Sequence, residues 1–302
     1  MLSALAASLL VRCSFPPRHA PVALGVSGGP DSLALLALAV AAGCTPTAYH
    51  VDHGIRPGSA DEAEVVRRSA ERLGTGFVAL RVDVAPGPNL EARARAARFA
   101  ALPDGVATGH TADDQAETIL LNLLRGAGID GLAGMRPGPR HPILGLRRVE
   151  THELVAELGL EVVLDPSNLD GALRRNRVRA ELLPLLGDIA QRDPVPVLCR
   201  QAGLLLEEAT LLDELARGFD PEQLASLGAA PLALRRRSIR AWLRGLVDPS
   251  HPPDAAAVER VLLVAGGRAL ACEVPGGVRV RRSRGRLVAE RSGPAPSTGV
   301  VR

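Results

Sequence analysis

The sequence predicts an α/β protein whose first part is a doubly wound parallel sheet with helices on both faces. Short apolar runs of strand length alternate with longer segments of helical length, and glycine-bearing turns separate them. Parallel strands need a crossover between them, so this alternation predicts one sheet covered on both sides. Ligands are then expected at the carboxyl ends of the strands.

The strands are predicted from five short apolar runs that are bounded by turn residues. In the third run, valine and leucine alternate with alanine, arginine and aspartate, which is the period of a half-buried strand. The predicted strands are residues 22–26, 47–51, 77–84, 105–108 and 143–146.

The helices are predicted from their length and from the residues that begin them. Pro30 is tolerated in a first helical turn, and Thr111 followed by Asp114 has the spacing of a capping box. The predicted helices are residues 2–11, 30–42, 59–73, 89–102, 111–124, 149–158, 174–186, 197–217, 232–246 and 254–265, with strands following in 269–290.

Chain length and charge predict two domains, because 302 residues exceed one typical core. Residues 1–188 carry 19 arginines against 21 acidic residues, whereas residues 189–302 carry 17 against 12. We therefore expect a catalytic domain over 1–188 and a smaller, mainly helical polyanion-binding domain over 189–290 that ends in a basic β-hairpin. The alternative for this hairpin is a surface that only promotes solubility. The Pro/Gly/Ser-rich segment 291–302 is predicted to be a disordered tail.

Cysteine spacing and hydropathy indicate a soluble, cytoplasmic protein without a membrane partner. The four cysteines are far apart and form no C-x-x-C motif, which argues against a zinc site, an iron–sulfur site or a disulfide framework. No run reaches the ~18 apolar residues of a membrane helix, and the apolar N-terminus lacks the flanks of a signal peptide.

The segment Ser27-Gly-Gly-Pro-Asp-Ser32 is a candidate phosphate-binding loop between the first strand and the following helix. Such a turn points several backbone N–H groups and the positive end of a helix dipole at one position, and its glycines let the backbone approach an anion. It is not a Walker A loop, because the chain contains no lysine. The alternative is a turn that binds nothing.

The second candidate segment, Gly109 to Glu117, follows the fourth predicted strand. Its ionisable residues have the spacing i, i+3, i+4 and i+7, so we expect them on one helical face; they are His110, Asp113, Asp114 and Glu117. Carboxylates beside an imidazole can bind Mg²⁺ or an amine. An ordinary acidic helix N-terminus explains Asp113 and Asp114 equally well, but it does not explain Glu117.

Taken together, these segments resemble the tRNA(Ile)-lysidine synthetases, a family of PP-loop ATP pyrophosphatases. The resemblance covers residues 22–186, and the rest resembles the short form of the family. The sequence departs from the usual family pattern at His141, where an arginine is common, and at Leu173, where an aromatic residue is common. The matching blocks are Ser27–Ser32, Val51–Gly54, Glu91–Phe99, Gly109–Thr118, Arg125–Gly128, Gly131–Met135, Arg148 with Glu150, Asp165–Asn168 and Arg175–Arg179.

The resemblance implies that ATP and Mg²⁺ are used to adenylate the C2 oxygen of the wobble cytidine in an isoleucine tRNA with a CAU anticodon, which free lysine then attacks. It implies catalytic roles for Asp31, His110, Asp113 and Glu117, with Asp31 also binding the metal. The implied ATP-binding residues are Ser27, Gly28, Gly29, Pro30, Asp31, Ser32, Val51 and Gly109. The implied lysine-binding residues are Asp113, Asp114 and Glu117. The implied tRNA-binding residues are Arg95, Arg98, Arg175, Asn176, Arg179, Arg279, Arg281 and Arg282. The oligomeric state stays open, and a homodimer is compatible with the sequence.

Three other functions would each explain part of the sequence. A PP-loop tRNA thiolase, which transfers sulfur to an anticodon-loop base, is the main alternative, but Cys13 and Cys44 have no partner cysteine nearby in the sequence. An amidotransferase would need a glutaminase domain that this sequence lacks. A non-catalytic RNA-binding protein explains the basic C-terminal part but not Asp113 and Glu117 beside a phosphate loop.

Overall fold

The computed structural model describes residues 3–52, 59–82, 90–163, 170–247 and 253–291. The chain forms two compact units, Met1–Leu206 and Glu207–Arg302. The boundary expected after residue 188 lies inside the first unit, and the predicted tail falls outside the described residues except for Arg291.

The first unit contains a four-stranded parallel sheet with the strand order β3-β2-β1-β4, as the sequence predicts. The chain adds β2 and β3 on one side of β1 and then returns to add β4 on the other side. The strand order therefore reverses between β1 and β4, and a crevice is expected there at the carboxyl ends of the strands. The strands are β1 (Pro21–Gly25), β2 (Thr45–Asp52), β3 (Gly76–Arg81) and β4 (Ala107–Thr108).

Most helices from α1 to α10 lie close to predicted positions; α6 was not predicted, and the residues of α10 fall on both sides of the boundary at Leu206. They are α1 (Ala4–Leu10), α2 (Pro30–Ala41), α3 (Ser59–Arg72), α4 (Leu90–Ala101), α5 (Ala112–Leu124), α6 (Ile129–Leu132), α7 (Arg148–Glu157), α8 (Arg174–Arg177), α9 (Leu183–Ala190) and α10 (Pro194–Ala216). The predicted helix over 174–186 is interrupted by a π-helical turn, Val178–Leu182, between α8 and α9.

Helix α2 is the centre of the main core. Leu33, Leu35, Leu36 and Leu38 are all fully buried, which explains why this helix is apolar on every side. The first turn of α2 is thereby fixed beneath the carboxyl ends of the strands, because its body cannot move without exposing these leucines.

The prediction of a fifth strand over residues 143–146 is wrong. The Leu146 N–H donates to the Ile143 carbonyl over 3.0 Å, which is a turn and not a sheet ladder. Both side chains are fully buried in the main core. Burial under the helices, and not strand pairing, accounts for this short apolar run, and four apolar residues alone do not distinguish the two.

The second unit combines helices with a three-stranded antiparallel sheet of order β5-β6-β7, so the predicted basic hairpin is β6–β7 of a slightly larger sheet. Val278 and Val280 of β6 are buried in the core of this unit, whereas Arg279 between them is exposed. The elements are α11 (Leu224–Ala229), α12 (Leu232–Leu246), α13 (Ala255–Ala265), β5 (Ala271–Val274), β6 (Val278–Ser283) and β7 (Arg286–Arg291). Over the described part of the chain, none of the helices is both long and apolar enough to span a bilayer.

Candidate active site

The predicted phosphate loop lies between β1 and α2. Gly29 is the N-cap of α2 and Pro30 is its first residue, which is the position where the missing N–H of proline costs nothing. The Ser32 hydroxyl donates to the Gly29 carbonyl (2.8 Å) and accepts from the Ser27 N–H (3.2 Å). These bonds fix the conformation of the turn at the start of α2.

Gly28 is required in this loop by both its conformation and its surroundings. Its φ angle is +87°, and a Cβ built on it would lie 2.6 Å from Cγ2 of Val163. The Val163 N–H also donates to the Gly28 carbonyl over 3.0 Å. No other residue fits this position without strain.

The two predicted segments meet at the carboxyl ends of the neighbouring strands β1 and β4. A Cβ added to Gly109, which follows β4, would lie 2.8 Å from the backbone oxygen of Asp31 and 3.0 Å from the Ser32 nitrogen. The glycine therefore permits the second segment to pack directly on the first turn of α2.

The acidic segment begins α5 with a capping box. Thr111 is the N-cap, and its N–H and hydroxyl donate to Oδ2 of Asp114 over 2.9 and 3.0 Å. Because His110 precedes the cap, it does not share a helical face with the carboxylates, contrary to expectation. Its Nδ1 lies 2.6 Å from the Thr108 hydroxyl, and its ring packs edge-on against His141 at 5.0 Å between centroids.

Arg148, at the start of α7, joins the phosphate loop to the acidic segment. Its guanidinium donates to Asp114 (2.9 Å), to Glu117 (3.2 Å) and to Asp31 (3.4 Å). Thr151, one turn further along α7, donates its hydroxyl to Asp31 as well. The sequence predicted no role for either residue, although Arg148 lies in a block that resembles the family, and their spacing of three is the signal that places both on one helical face.

The carboxylate of Asp113 is bound by Arg147, the residue before Arg148. Arg147 donates to both carboxylate oxygens over 3.0 and 3.1 Å, and the Arg148 N–H donates to one of them over 2.8 Å. Arg147 also pairs with Asp193.

Glu117 is fully buried and is surrounded by arginines. Arg179 donates from Nε to Oε1 (2.7 Å) and from Nη2 to Oε2 (3.2 Å), which is a two-point contact. Arg175 Nε lies 3.2 Å from Oε2, but its N–H is not aligned, and it has no hydrogen-bond partner among the residues that the structure describes. The Arg175 Nη2 donates to Thr118 over 2.7 Å.

Comparisons with known proteins show which family this chain belongs to. A family described as the PP-loop domain matches residues 5–186, and one described as the TilS substrate binding domain matches residues 223–288. The tRNA(Ile)-lysidine synthase of Nocardia farcinica is 40% identical over 93% of this chain and 95% of its own length. The chain belongs to the tRNA(Ile)-lysidine synthase family.

Two further relatives of the same name support this membership. The lysidine synthase of Mycolicibacterium paratuberculosis is 47% identical over 73% of each chain, and that of Corynebacterium glutamicum is 38% identical over 88% of this chain and 89% of its own. Among solved structures, the U34-tRNA thiolase NcsA from Methanococcus maripaludis has a TM-score of 0.51 at 18% identity and covers 67% of this chain and 78% of its own. That likeness shows a shared fold alone.

In this member of the lysidine synthase family, the pKa values of Asp31, Asp113 and Asp114 are shifted in different directions. Burial raises the pKa of Asp31, although hydrogen bonding from Thr151 and the charge of Arg148 oppose it. Burial also acts on Asp113, but hydrogen bonds from Arg147 and from the Arg148 backbone outweigh it and lower the pKa. For Asp114, the charge of Arg148 and hydrogen bonds from Thr111 likewise outweigh burial and lower the pKa. Asp113 and Asp114 are therefore anionic at neutral pH.

The remaining predicted site residues lie at several places in the fold. Val51 is buried at the end of β2. The guanidinium of Arg98 in α4 lies 5.5 Å from the ring centroid of Phe99, and the side chain of Arg95 falls outside the described part. Asn176 in α8 donates to the Asp170 carbonyl over 2.9 Å.

The predicted RNA-binding arginines of the second unit are on β6. Arg281 donates to Glu290 of β7 from Nε over 3.1 Å and from Nη2 over 2.5 Å, whereas Arg279 and Arg282 are exposed. Backbone pairing of β6 with β7 thus presents the three arginines on one small sheet.

The described residues contain no group of three or more His, Cys, Asp or Glu side chains that could hold a metal ion by themselves. Asp31, at the first turn of α2, contributes one carboxylate beside the phosphate loop. This fits Mg²⁺, which is commonly bound through one or two carboxylates together with substrate phosphates.

Proposed function

We propose that this chain is an ATP-dependent carbon–nitrogen ligase that converts the wobble cytidine of an isoleucine tRNA with a CAU anticodon into lysidine. ATP adenylates the C2 oxygen of the cytidine and releases pyrophosphate. The amine of free lysine then attacks C2, loses a proton, and AMP leaves with the oxygen. The observation that carries this proposal is the contact of Arg148 with both Asp31 and Glu117, which joins the loop before α2 to the acidic segment of α5.

The loop residues Ser27–Ser32 and Gly109 bind ATP in this proposal, with Val51 beside them. Backbone amides of the loop hold the phosphates, and the helix dipole favours their charge. Asp31 holds Mg²⁺ together with the phosphates. When bound, the metal offsets the charge that develops on the departing pyrophosphate. A loop lysine is not needed, because the adenylyl group and not the γ-phosphoryl group is transferred.

Asp113, Asp114 and Glu117 receive the lysine ammonium in this proposal. The lowered pKa values of the two aspartates keep them anionic at neutral pH, so they attract a cation. One carboxylate, or His110 beside them, accepts the proton that the amine loses. The lysine ammonium must lose one proton before its nitrogen can attack C2, and the nitrogen loses a second proton after the bond to C2 has formed, so the acceptor must lie beside C2 of the bound cytidine.

The arginines supply affinity for tRNA. In the first unit these are Arg95, Arg98, Arg175 and Arg179 with Asn176, and in the second they are Arg279, Arg281 and Arg282. Guanidinium groups bind phosphates at two points, and such contacts give affinity that depends on salt and little on sequence. We assign the catalytic domain to 1–188 and the tRNA-binding domain to 189–290.

The decisive assay incubates the full chain with ATP, labelled lysine and unmodified tRNA transcript. We expect label to move to the RNA only when ATP is present, with one AMP formed per lysine attached. A transcript with a different anticodon is the matched control and should stay unlabelled. RNA without label, or sulfur transfer to the anticodon loop from a sulfur donor, would refute the proposal.

A further inference from the structure

Glu117 has no vacant side for a substrate cation. Its two oxygens contact Arg148, Arg175 and Arg179, and none of its surface reaches solvent. A lysine ammonium that approached would add a fourth cation to a single buried carboxylate. Under the proposed function, on which this inference rests, at least one guanidinium must therefore leave before lysine contacts Glu117.

Arg148 is not suited to give up its contact with Glu117. It is held by three carboxylates at once, and only 19% of its side chain is exposed. Its departure would leave Asp31 and Asp114 without their shared counter-ion. Since each of those carboxylates is mostly buried, this loss would be costly.

Arg175 and Arg179 are suited to give up their contacts with Glu117. About a third of each side chain is exposed, at 35% and 33%. The Nε of Arg175 is buried without a hydrogen-bond partner among the described residues, so its present position is already incompletely satisfied. Both belong to the helical stretch that contains the π turn Val178–Leu182, and such turns recur at functional sites.

A phosphate is the natural replacement for the carboxylate in these contacts. The two-point contact of Arg179 with Glu117 has the geometry that a guanidinium also makes with a phosphodiester. No acidic residue stands between Arg175 and Arg179 in the sequence, so the charges of these two arginines attract a polyanion. A phosphate of bound RNA can therefore replace the Glu117 carboxylate as the partner of these arginines.

We propose that Arg175 and Arg179 are specificity-determining residues. When tRNA binds, these two arginines release the Glu117 carboxylate and pair with tRNA phosphates instead. Lysine then reaches Glu117 only on the tRNA complex, so it is not positioned to attack in the absence of its acceptor. Linkage requires the converse effect, so that lysine tightens tRNA binding by the same factor.

The test measures equilibrium binding of labelled lysine to the full chain without ATP, so that no transfer occurs. Unmodified tRNA should tighten lysine binding on the order of 5- to 150-fold, which is the usual range of coupling between two ligands. Saturating lysine should tighten tRNA binding by the same factor. With R179Q, lysine should bind without tRNA about as well as the wild-type chain binds it with tRNA, and the coupling should vanish.

The matched control is R177Q. Arg177 lies in the same helical stretch but pairs with Glu181 at the surface and does not contact Glu117. It should keep the wild-type coupling. The comparison of lysine binding to the wild-type chain with and without tRNA needs no variant. It therefore tests the coupling between lysine and tRNA even if R179Q fails to fold.

Equal lysine binding with and without tRNA, including undetectable binding in both, overturns this inference, as does a coupling that survives in R179Q. If the chain still attaches lysine to tRNA in the transfer assay, only the exchange is wrong. If it attaches none, the proposed function itself has failed.

Discussion

Replacing Arg148 by methionine tests whether one guanidinium holds the site together. Methionine is uncharged and replaces only the aliphatic part of the arginine side chain, so the change removes three ion pairs, to Asp31, Asp114 and Glu117. Removing one partner from a buried pair costs on the order of 3–5 kcal/mol, because a buried charge is left behind. Glu117 keeps Arg179, so we expect the lower end, about 3 kcal/mol.

The assay for Arg148→Met is unfolding in urea, followed by far-ultraviolet circular dichroism and by hydrogen exchange of the amides in α2 and α5. Tryptophan fluorescence is unsuitable, because the single tryptophan, Trp242, lies in the second unit. The control is Arg236→Met, which removes an ion pair with Glu259 that is about half exposed; exposed pairs contribute little. A loss of less than about 1 kcal/mol for Arg148→Met, the range of a surface pair, would refute the reasoning.

Three further predictions follow from the same contacts. Asp31→Asn should lower AMP release about 100-fold or more while the tRNA dissociation constant, measured by filter binding, stays within about twofold; loss of both would contradict the assigned roles. Gly28→Ala should lower the thermal midpoint, because it combines a φ of +87° with a clash against Val163, whereas Gly29→Ala, whose Cβ meets nothing closer than 3.6 Å, should not; equal midpoints would contradict this. Asp113→Asn should destabilise the chain at neutral pH, because the folded pKa of this carboxyl is below its usual 3.8. Such a group stabilises the fold above its unfolded pKa, and this contribution is lost as the pH falls through the lower folded value. The difference from wild type in urea titrations should therefore shrink below about pH 4; a difference independent of pH would rule out the ion pair with Arg147 as its cause.

The local features of the site were predictable from the sequence because they depend on residues a few positions apart. Pro30 as the first residue of α2 and Thr111 with Asp114 as a capping box both follow from short-range backbone geometry. The face shared by Asp113, Asp114 and Glu117 follows from the helical repeat. The expected position of His110 was wrong because α5 begins after its N-cap, Thr111, so His110 precedes the helix and is not part of its repeat.

The partners of these carboxylates were not predictable in the same way. Arg148 is 117 residues from Asp31 in the chain, and Arg179 is 62 residues from Glu117. No periodicity relates positions so far apart. Residues 143–146 show the same limit, because their apolar side chains fit either a strand or a buried turn until the neighbouring helices are known.

The sequence by itself determined the parallel sheet, the phosphate loop and the acidic start of α5, because alternation, glycine placement and capping are properties of neighbouring residues. Only the tertiary structure decided that arginines from α7 and from the stretch around α8 close over Asp31, Asp114 and Glu117. The physical reason is the strand order: placing β4 beside β1 brings α5 against the first turn of α2, and the charges that later segments supply can then pair across that junction.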